Sequence, residues 1–189
     1  MKKTIILLLL VLIAGLQPCL AEAGAGDSFE AFDAFAYVYD LADVIDDAVE
    51  TEFLINNHYL EKACGAQIVL ITVDHTEAPI GEYAFEAFNR IGIGDSVLNN
   101  GVLIVLAIGD DDYYLAVGGG EDAGLDKLYS QDEMSGDLDT CLEGDFAEGQ
   151  YSQGARNLLE ALCGRVSRLY NASIPYYRVE FYRAETVKP

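Results

Sequence analysis

Two short stretches of the chain are almost wholly apolar and rich in β-branched residues. They cover residues 66–73 and 102–108. An uninterrupted apolar run of this length is typical of a strand that other elements cover on both faces, as in a parallel sheet between helices. A third strand is expected at residues 113–117, because residues 109–112 before it, Gly-Asp-Asp-Asp, have the composition of a tight turn. The second and third strands are therefore predicted to form an antiparallel hairpin.

Helical periodicity is found between and after these strands. Apolar residues recur at three- and four-residue spacings over residues 44–64 and 80–91, with acidic residues between them. One helix or two short ones are expected between residues 121 and 146, and a clearer helix over residues 152–163. The order αβαββαα predicts an α/β fold, a three-layer α/β/α sandwich with a small mixed sheet.

The N-terminal end of the chain has a different pattern. Lys2 and Lys3 precede an apolar run over residues 4–16, and small residues follow at Ala21 and Ala23, so residues 1–23 are predicted to be a secretory signal peptide. A helix over the apolar run would span about 20 Å, which is less than the ~30 Å core of a bilayer. A permanent membrane anchor is therefore the weaker alternative.

The domain boundaries follow from the same patterns. Residues 24–36 lack periodicity and are predicted to be a linker. The domain covers residues 37–163. Residues 164–189 follow as a cationic tail, which is either an extra strand or the start of a truncated continuation.

The charge of the protein is strongly negative and unevenly distributed. The chain has 32 Asp and Glu residues against 11 Lys and Arg residues, a formal net charge of −21. Residues 24–163 hold 29 of the acidic residues and four of the basic ones, whereas residues 164–189 hold five basic and two acidic residues. Binding to nucleic acid uses clustered Lys and Arg, so this composition excludes nucleic acid as a partner.

Export brings the cysteines of the mature chain, Cys64, Cys141 and Cys163, into an oxidising compartment. Two interpretations stay open. The three residues form one disulfide and one free thiol, or they are three small buried apolar side chains. The chain has no C-x-x-C motif and no Cys/His spacing that indicates zinc.

The hairpin brings polar residues to one end of the sheet. Residues 99–101, Asn-Asn-Gly, precede the second strand and must lie beside residues 118–121, Gly-Gly-Gly-Glu, which follow the third. Carboxylates, side-chain amides and bare glycine backbone suit hard cations such as Ca²⁺ or Mg²⁺. In the alternative interpretation the glycines serve turns, the asparagines cap backbone groups and the acidic residues are solvated. The predicted ligands are Asp40, Asp95, Asn99, Asn100, Gly118, Gly120 and Glu121.

The opposite end of the sheet is a second candidate. Asp110, Asp111 and Asp112 lie on the hairpin, and Asp74 and His75 follow the first strand. Ligands of open α/β sheets commonly bind beyond the carboxyl ends of the strands, which favours this end. Three consecutive aspartates in a tight turn are more simply explained as a solvated hairpin tip.

An ordered series of short motifs resembles the TPM domain family, named for thylakoid lumen, photosystem and related proteins. The resemblance covers residues 37–163. In chain order the motifs are Val38-Tyr39-Asp40-Leu41-Ala42, the run 65–73, Glu82-Tyr83-Ala84, Gly92-Ile93-Gly94, Asn99-Asn100-Gly101-Val102-Leu103, Val117-Gly118-Gly119-Gly120-Glu121, and Asp145-Phe146 with Gly149-Gln150-Tyr151.

The resemblance implies an extracytoplasmic α/β/α domain, divalent-cation binding in some members, and the acid phosphatase activity known for the plant lumen protein. The conserved polar positions of the family correspond here to Asp40, Asn99, Asn100, Gly118, Gly120 and Glu121.

We therefore expect a secreted or cell-envelope protein that binds Ca²⁺ or Mg²⁺ and has a scaffold or assembly role with a protein partner. The alternative function is a metal-assisted acid phosphatase, in which carboxylates hold a cation that offsets the charge of phosphate. Membrane association is expected only if the N-terminal segment is retained or the parent chain continues.

Overall fold

The computed structural model describes Phe32 and residues 35–180. Within residues 35–180 the chain forms four strands, five α-helices and one short 3-10 helix. In chain order they are β1 (Val38–Asp40), α1 (Asp47–Cys64), β2 (Gln67–Val73), α2 (Ile80–Ile91), β3 (Gly101–Ala107), β4 (Asp112–Val117), the 3-10 helix (Leu125–Lys127), α3 (Gln131–Cys141), α4 (Glu143–Ala147) and α5 (Tyr151–Leu169).

The strands form one mixed sheet in the order β1-β2-β3-β4. β1, β2 and β3 run parallel, and β4 runs antiparallel to β3. β2 and β3 pair along their whole length, with Gln67 opposite Gly101 and Val73 opposite Ala107. The predicted α/β class, the mixed sheet and the hairpin are confirmed.

Helices cover both faces of the sheet, which explains why its two long strands are almost wholly apolar. Ile68 and Leu70 of β2 belong to a core formed with α1, α3, α4 and α5. Val69 and Ile71 belong to a second core formed with α2. Successive side chains of a strand point to opposite faces, so a strand between two helical layers is apolar at nearly every position.

Two elements differ from the sequence prediction. β1 was not predicted as a strand, because its three residues are too few to show any periodicity. α5 continues to Leu169, beyond the predicted end at Cys163, and its buried residues Val166 and Ser167 extend its inner face. The first residues of the predicted cationic tail are therefore helical.

An extra strand was one of two interpretations of the tail, but the described residues 176–180 form no strand. The segment instead lies against α1. The side chain of Asn56 bonds the backbone of Tyr177, and the fully buried Glu52 accepts hydrogen bonds from the hydroxyl of Tyr176 and the N–H of Val179. Side chains of α1, rather than a neighbouring strand, therefore satisfy this backbone.

The cysteines Cys64, Cys141 and Cys163 are free thiols. Cys163 is buried, and burial raises the pKa of its thiol to about 12. The apolar interpretation thus describes Cys163, whereas Cys64 and Cys141 are half-buried. Over the described residues, no helix is both long and apolar enough to cross a bilayer. The predicted signal peptide, and the linker apart from Phe32 and residues 35–36, lie outside the described residues.

Candidate functional site

A cleft of about 530 Å³ runs along the outer edge of β4. Residues 114–119 line it consecutively. Because successive side chains of a strand point to opposite faces, a cleft lined by consecutive residues follows the edge of the strand. One wall comes from α2 and the other from the segment that leads into α3; the wall residues include Gly81, Phe85, Phe88, Asp126, Tyr129 and Met134.

The second wall is held in place by an ionic network. Tyr129 is 1% exposed, and its hydroxyl donates a hydrogen bond of 2.5 Å to Asp137. The guanidinium of Arg165 lies 4.5 Å from the centre of the Tyr129 ring and also bonds Asp137. Burial, with the bond to Asp137, holds the pKa of Tyr129 above its ordinary value. The hydroxyl is therefore a protonated donor at neutral pH.

One end of the cleft is the end of the sheet that the hairpin predicts, where residues 99–101 lie beside residues 118–121. We call this end the corner. Gly118 donates its N–H to the carbonyl of Gly101 at 2.9 Å. A Cβ at Gly118 would overlap the carbonyl oxygen of Asn99, and a Cβ at Gly120 would lie 2.5 Å from the carbonyl oxygen of Ala123. Close approach of backbone to backbone thus requires glycine at both positions.

Among the predicted ligands, Asn99 lines the cleft and has a side-chain oxygen that can bind a cation. Its backbone has a φ of 47°, and its carbonyl accepts the N–H of Leu125 at 3.1 Å. Its side-chain amide nitrogen donates to the carbonyl of Ala123 at 3.2 Å. The side-chain oxygen has no hydrogen-bond partner among the described residues, so it is available to a ligand.

The side chains of Asn100 and Asp95 form hydrogen bonds within the loop that precedes β3 and to the end of α1. The buried side chain of Asn100 donates to the carbonyl of Cys64 at 2.9 Å and accepts the N–H of Asp95 at 3.0 Å. One carboxylate oxygen of Asp95 accepts the N–H groups of Val97 and Leu98, each at 2.9 Å. The bonds from Leu98 and Val97 hold the pKa of the Asp95 carboxyl below its ordinary value. Both side chains close the loop before β3.

Asp126, on the 3-10 helix, is a cleft residue that the sequence reasoning missed. Its carboxylate lies over the glycine run, 3.1 Å from where a Cβ of Gly119 would be, and has no hydrogen-bond partner among the described residues. The N–H of Asp126 bonds the carbonyl of Gly118 at 3.1 Å. The glycine run was the signal in the sequence that could have indicated this position, because glycines allow the chain after β4 to fold back against the corner.

Glu121 is exposed beside this corner. Its backbone carbonyl accepts a hydrogen bond from the ammonium of Lys127. Lys127 therefore places a positive charge beside the corner.

Asp40 does not share the corner, and this expectation is corrected. Asp40 pairs with Thr72, near the carboxyl end of β2, whereas the corner adjoins Gln67 at the amino end. Five residues of strand separate the two points by about 17 Å. The Asp40 carboxylate accepts the N–H groups of Val44 and Ile45 and the hydroxyl of Thr72. It therefore fixes the turn that leads into α1.

At the opposite end of the sheet, which was the second candidate site, hydrogen bonds connect the tip of the hairpin to the residues after β2. Asp110 accepts the N–H of Thr76 at 2.8 Å and lies 2.8 Å from Nδ1 of His75. These two partners hold the pKa of the Asp110 carboxyl below its ordinary value. The carboxylate thus joins the hairpin to the end of β2. Among the residues that the structure describes, no group of three or more His, Cys, Asp or Glu side chains is arranged to hold a metal ion.

Comparison with solved structures supports the fold. The N-terminal domain of a P. gingivalis protein superposes with a TM-score of 0.65 at 17% identity, covering 81% of this chain and 94% of that one. The BA42 protein of Bizionia argentinensis gives a TM-score of 0.57 at 18% identity, covering 71% and 87%. The N-terminal domain of cg2496 from Corynebacterium glutamicum gives 0.53 at 12% identity, covering 78% and 90%.

Comparison with sequence families is more specific. No curated protein matches the chain significantly. The family model of the TPM domain matches residues 38–165. This range contains the whole sheet and both segments of the corner. The match spans most of the chain, and the chain belongs to the TPM domain family.

Proposed function

We propose that this protein is a cell-envelope or secreted TPM module that binds Ca²⁺ or Mg²⁺ at the corner end of the cleft and has a scaffold or assembly role. One observation carries the proposal: the side-chain oxygen of Asn99 and the carboxylate of Asp126 line the same cleft, and neither has a hydrogen-bond partner among the described residues. Both are hard oxygen donors of the kind that these cations prefer.

The donor set indicates a weak site. It has one carboxylate and one amide oxygen, with Glu121 nearby, so water must supply most of the remaining ligands. Sites with few charged ligands bind Ca²⁺ with dissociation constants of roughly 10⁻⁴ to 10⁻³ M. The net charge of −21 favours occupancy, because it raises the local concentration of cations at the surface.

Thermal unfolding tests the cation site. The protein is first treated with EDTA and then titrated to 10 mM CaCl₂ or MgCl₂ at constant ionic strength. A dissociation constant near 1 mM gives about 1.4 kcal/mol of stabilisation at 10 mM, or a rise in Tm of roughly 3 °C. Because the ionic strength is constant, a divalent ion that acts only by screening leaves Tm unchanged.

Two matched variants locate the site. Asp126→Asn is expected to abolish the cation-specific rise in Tm, because the amide keeps the shape and loses the charge. Asp111→Asn is the control, since it makes the same change on the exposed hairpin tip at the other end of β4. A rise in Tm that survives Asp126→Asn, or that is absent from the unsubstituted protein, contradicts the proposal.

Lys127 favours a second candidate function, the metal-assisted acid phosphatase. It adds a positive charge beside Glu121, where a phosphate group held by a cation in the corner could be contacted. Hydrolysis of p-nitrophenyl phosphate at pH 5, with and without the stabilising cation, tests this activity. Turnover that requires the cation and is lost in Lys127→Gln supports the enzyme, and no turnover above that of the free cation contradicts it.

The proposed location outside the cytoplasm is supported by the N-terminal pattern of two lysines, an apolar run and small residues. Mass spectrometry of the protein expressed with its own N-terminus tests this location. Cleavage after Ala23 is expected, and an uncleaved cytoplasmic product contradicts it.

A further inference from the structure

β4 is an edge strand, and among residues 35–180 no further strand pairs with its outer edge. Such an edge presents backbone N–H and C=O groups that can pair with another extended chain. Proteins commonly protect an edge with charged residues, proline or a covering element. Residues 113–117 contain neither charge nor proline, and the cleft leaves the edge accessible from residue 114 onward.

The register identifies which backbone groups point into the cleft. Gly118 donates its N–H to Gly101 of β3. In an antiparallel ladder the residues that bond the partner strand recur at every second position, so Ala116 also bonds β3. Leu115 and Val117 therefore direct their N–H and C=O groups away from β3. These groups lie along the cleft and form the free edge.

Apolar side chains flank the free edge on both sides. Phe85 of α2 lines the cleft, although 69% of its surface is exposed. Tyr129 and Met134 line the opposite wall. An extended chain places alternate side chains on opposite faces, so a strand seated here contacts both walls at once.

Electrostatic charge indicates which extended segment binds the free edge of β4. A second copy of this chain also has a net charge of −21, and two such molecules repel each other. The basic tail of the chain is held at Tyr177 by Asn56 on α1, a helix that packs against β2 and α5. Asp126 lies in the cleft itself. A foreign segment with positive charge is the complementary occupant.

We infer that the free edge binds an extended segment of a partner protein, with an apolar centre flanked by Lys or Arg, which adds a fifth strand to the sheet. Its backbone pairs with Leu115 and Val117, and one basic residue lies near Asp126. Residues 114–119 set the length at about six residues, or roughly 20 Å of strand. The inference rests on the proposed scaffold role and names the chemistry of the partner.

A synthetic peptide tests the inference. The probe is fluorescein-labelled Lys-Val-Tyr-Val-Val-Lys with blocked ends, titrated with the full protein in EDTA and 50 mM salt while fluorescence anisotropy is measured. Saturable binding is expected, together with a slowing of amide hydrogen exchange of at least tenfold at Leu115 and Val117. A peptide with Pro in place of Tyr, or with Glu in place of both Lys residues, is expected to bind at least tenfold more weakly.

Matched variants tie the binding to the cleft. Phe85→Ser removes an exposed side chain and is expected to weaken peptide binding at least fivefold without changing Tm. Leu54→Ser is the control, because Leu54 is 58% exposed on α1 and does not line the cleft. Equal binding of the Pro peptide, or unchanged binding by Phe85→Ser, overturns the inference.

The other occupants give distinct results without peptide. Slow exchange at Leu115 and Val117 at every protein concentration means that another segment of this chain covers the edge. Slow exchange only at high concentration means that a second copy covers it. Either result overturns the inference. The cation experiment is independent: a normal rise in Tm with no peptide binding overturns the docking site alone, and peptide binding with no rise in Tm overturns the cation site alone.

Discussion

The side chain of Asn56 and the backbone of Tyr177 exchange two hydrogen bonds of 2.8 Å each, although the residues lie 121 positions apart. Asn56 is 1% exposed. The ring of Tyr177 also stacks on Tyr59 of the same helix, with centroids 4.7 Å apart and planes inclined by 19°. The segment after α5 is therefore an integral part of the fold.

We expect Asn56→Ala to lower the free energy of unfolding by about 2 kcal/mol. Each lost hydrogen bond costs about 1 kcal/mol, and the backbone groups of Tyr177 lose their partner. Urea denaturation followed by circular dichroism measures the change. Asn89→Ala is the control, because Asn89 is exposed and its side chain donates to the carbonyl of Phe85, one turn earlier in the same helix. Equal losses in the two variants would show that the segment contributes nothing.

Stability is expected to fall at alkaline pH through Tyr176. Burial and the nearby Glu52 carboxylate raise the pKa of Tyr176 above its ordinary value of 10.0. The folded protein thus holds this proton more tightly than the unfolded chain. The contribution of Tyr176 to stability is complete below pH 10 and is lost as the pH rises above 10.

Tyr176→Phe tests this linkage. The free energy of unfolding of the variant is expected to be lower at pH 8, because the bond to Glu52 is lost. Above pH 10 its curve is expected to decline less steeply than that of the unsubstituted protein. Urea titrations at half-unit steps from pH 8 to pH 11.5 give both curves, and parallel curves contradict the assignment.

The corner is expected to tolerate no side chain at Gly118. A Cβ there overlaps the backbone of Asn99, which cannot move without breaking the loop before β3. Gly118→Ala is expected to lower the free energy of unfolding by about 2 kcal/mol or more. Gly136→Ala is the matched control: Gly136 lies within α3 with nothing within 4 Å of its Cβ position. We expect that variant to be more stable by about 0.5–1 kcal/mol.

Asp40 is expected to affect stability and not cation binding. Asp40→Ala removes the acceptor of the Val44 and Ile45 N–H groups and is expected to cost about 1–2 kcal/mol. The rise in Tm with Ca²⁺ or Mg²⁺ is expected to persist, because Asp40 lies at the other end of the sheet. The same thermal titration measures both quantities. Loss of the rise in this variant would move the cation site to the end of β1.

The hydrophobic pattern was sufficient to predict most of the fold. β2 and β3 are buried on both faces, so nearly every position in them is apolar, and α2 begins and ends where its amphipathic pattern does. β1 escaped prediction because three residues carry no pattern and are ordered by pairing with β2.

The candidate site was predictable where local connections decide it. A hairpin necessarily brings Asn99 and Gly118 together, and they do lie together. Asp40 was assigned to the wrong end because β1 was not predicted as a strand, so its parallel pairing with β2 was not expected. Asp126 was missed because its position depends on how the chain turns after Gly120.

The sequence by itself determined most of the elements, the acidic charge and the family, because these depend on residue type and short-range periodicity. The tertiary structure alone decided that β4 is an edge strand with a cleft beside it, that Asp126 joins Asn99, and that Glu52 is buried under the segment after α5. The free edge, the position of Asp126 and the burial of Glu52 arise from contacts between distant parts of the chain, and no local pattern encodes them.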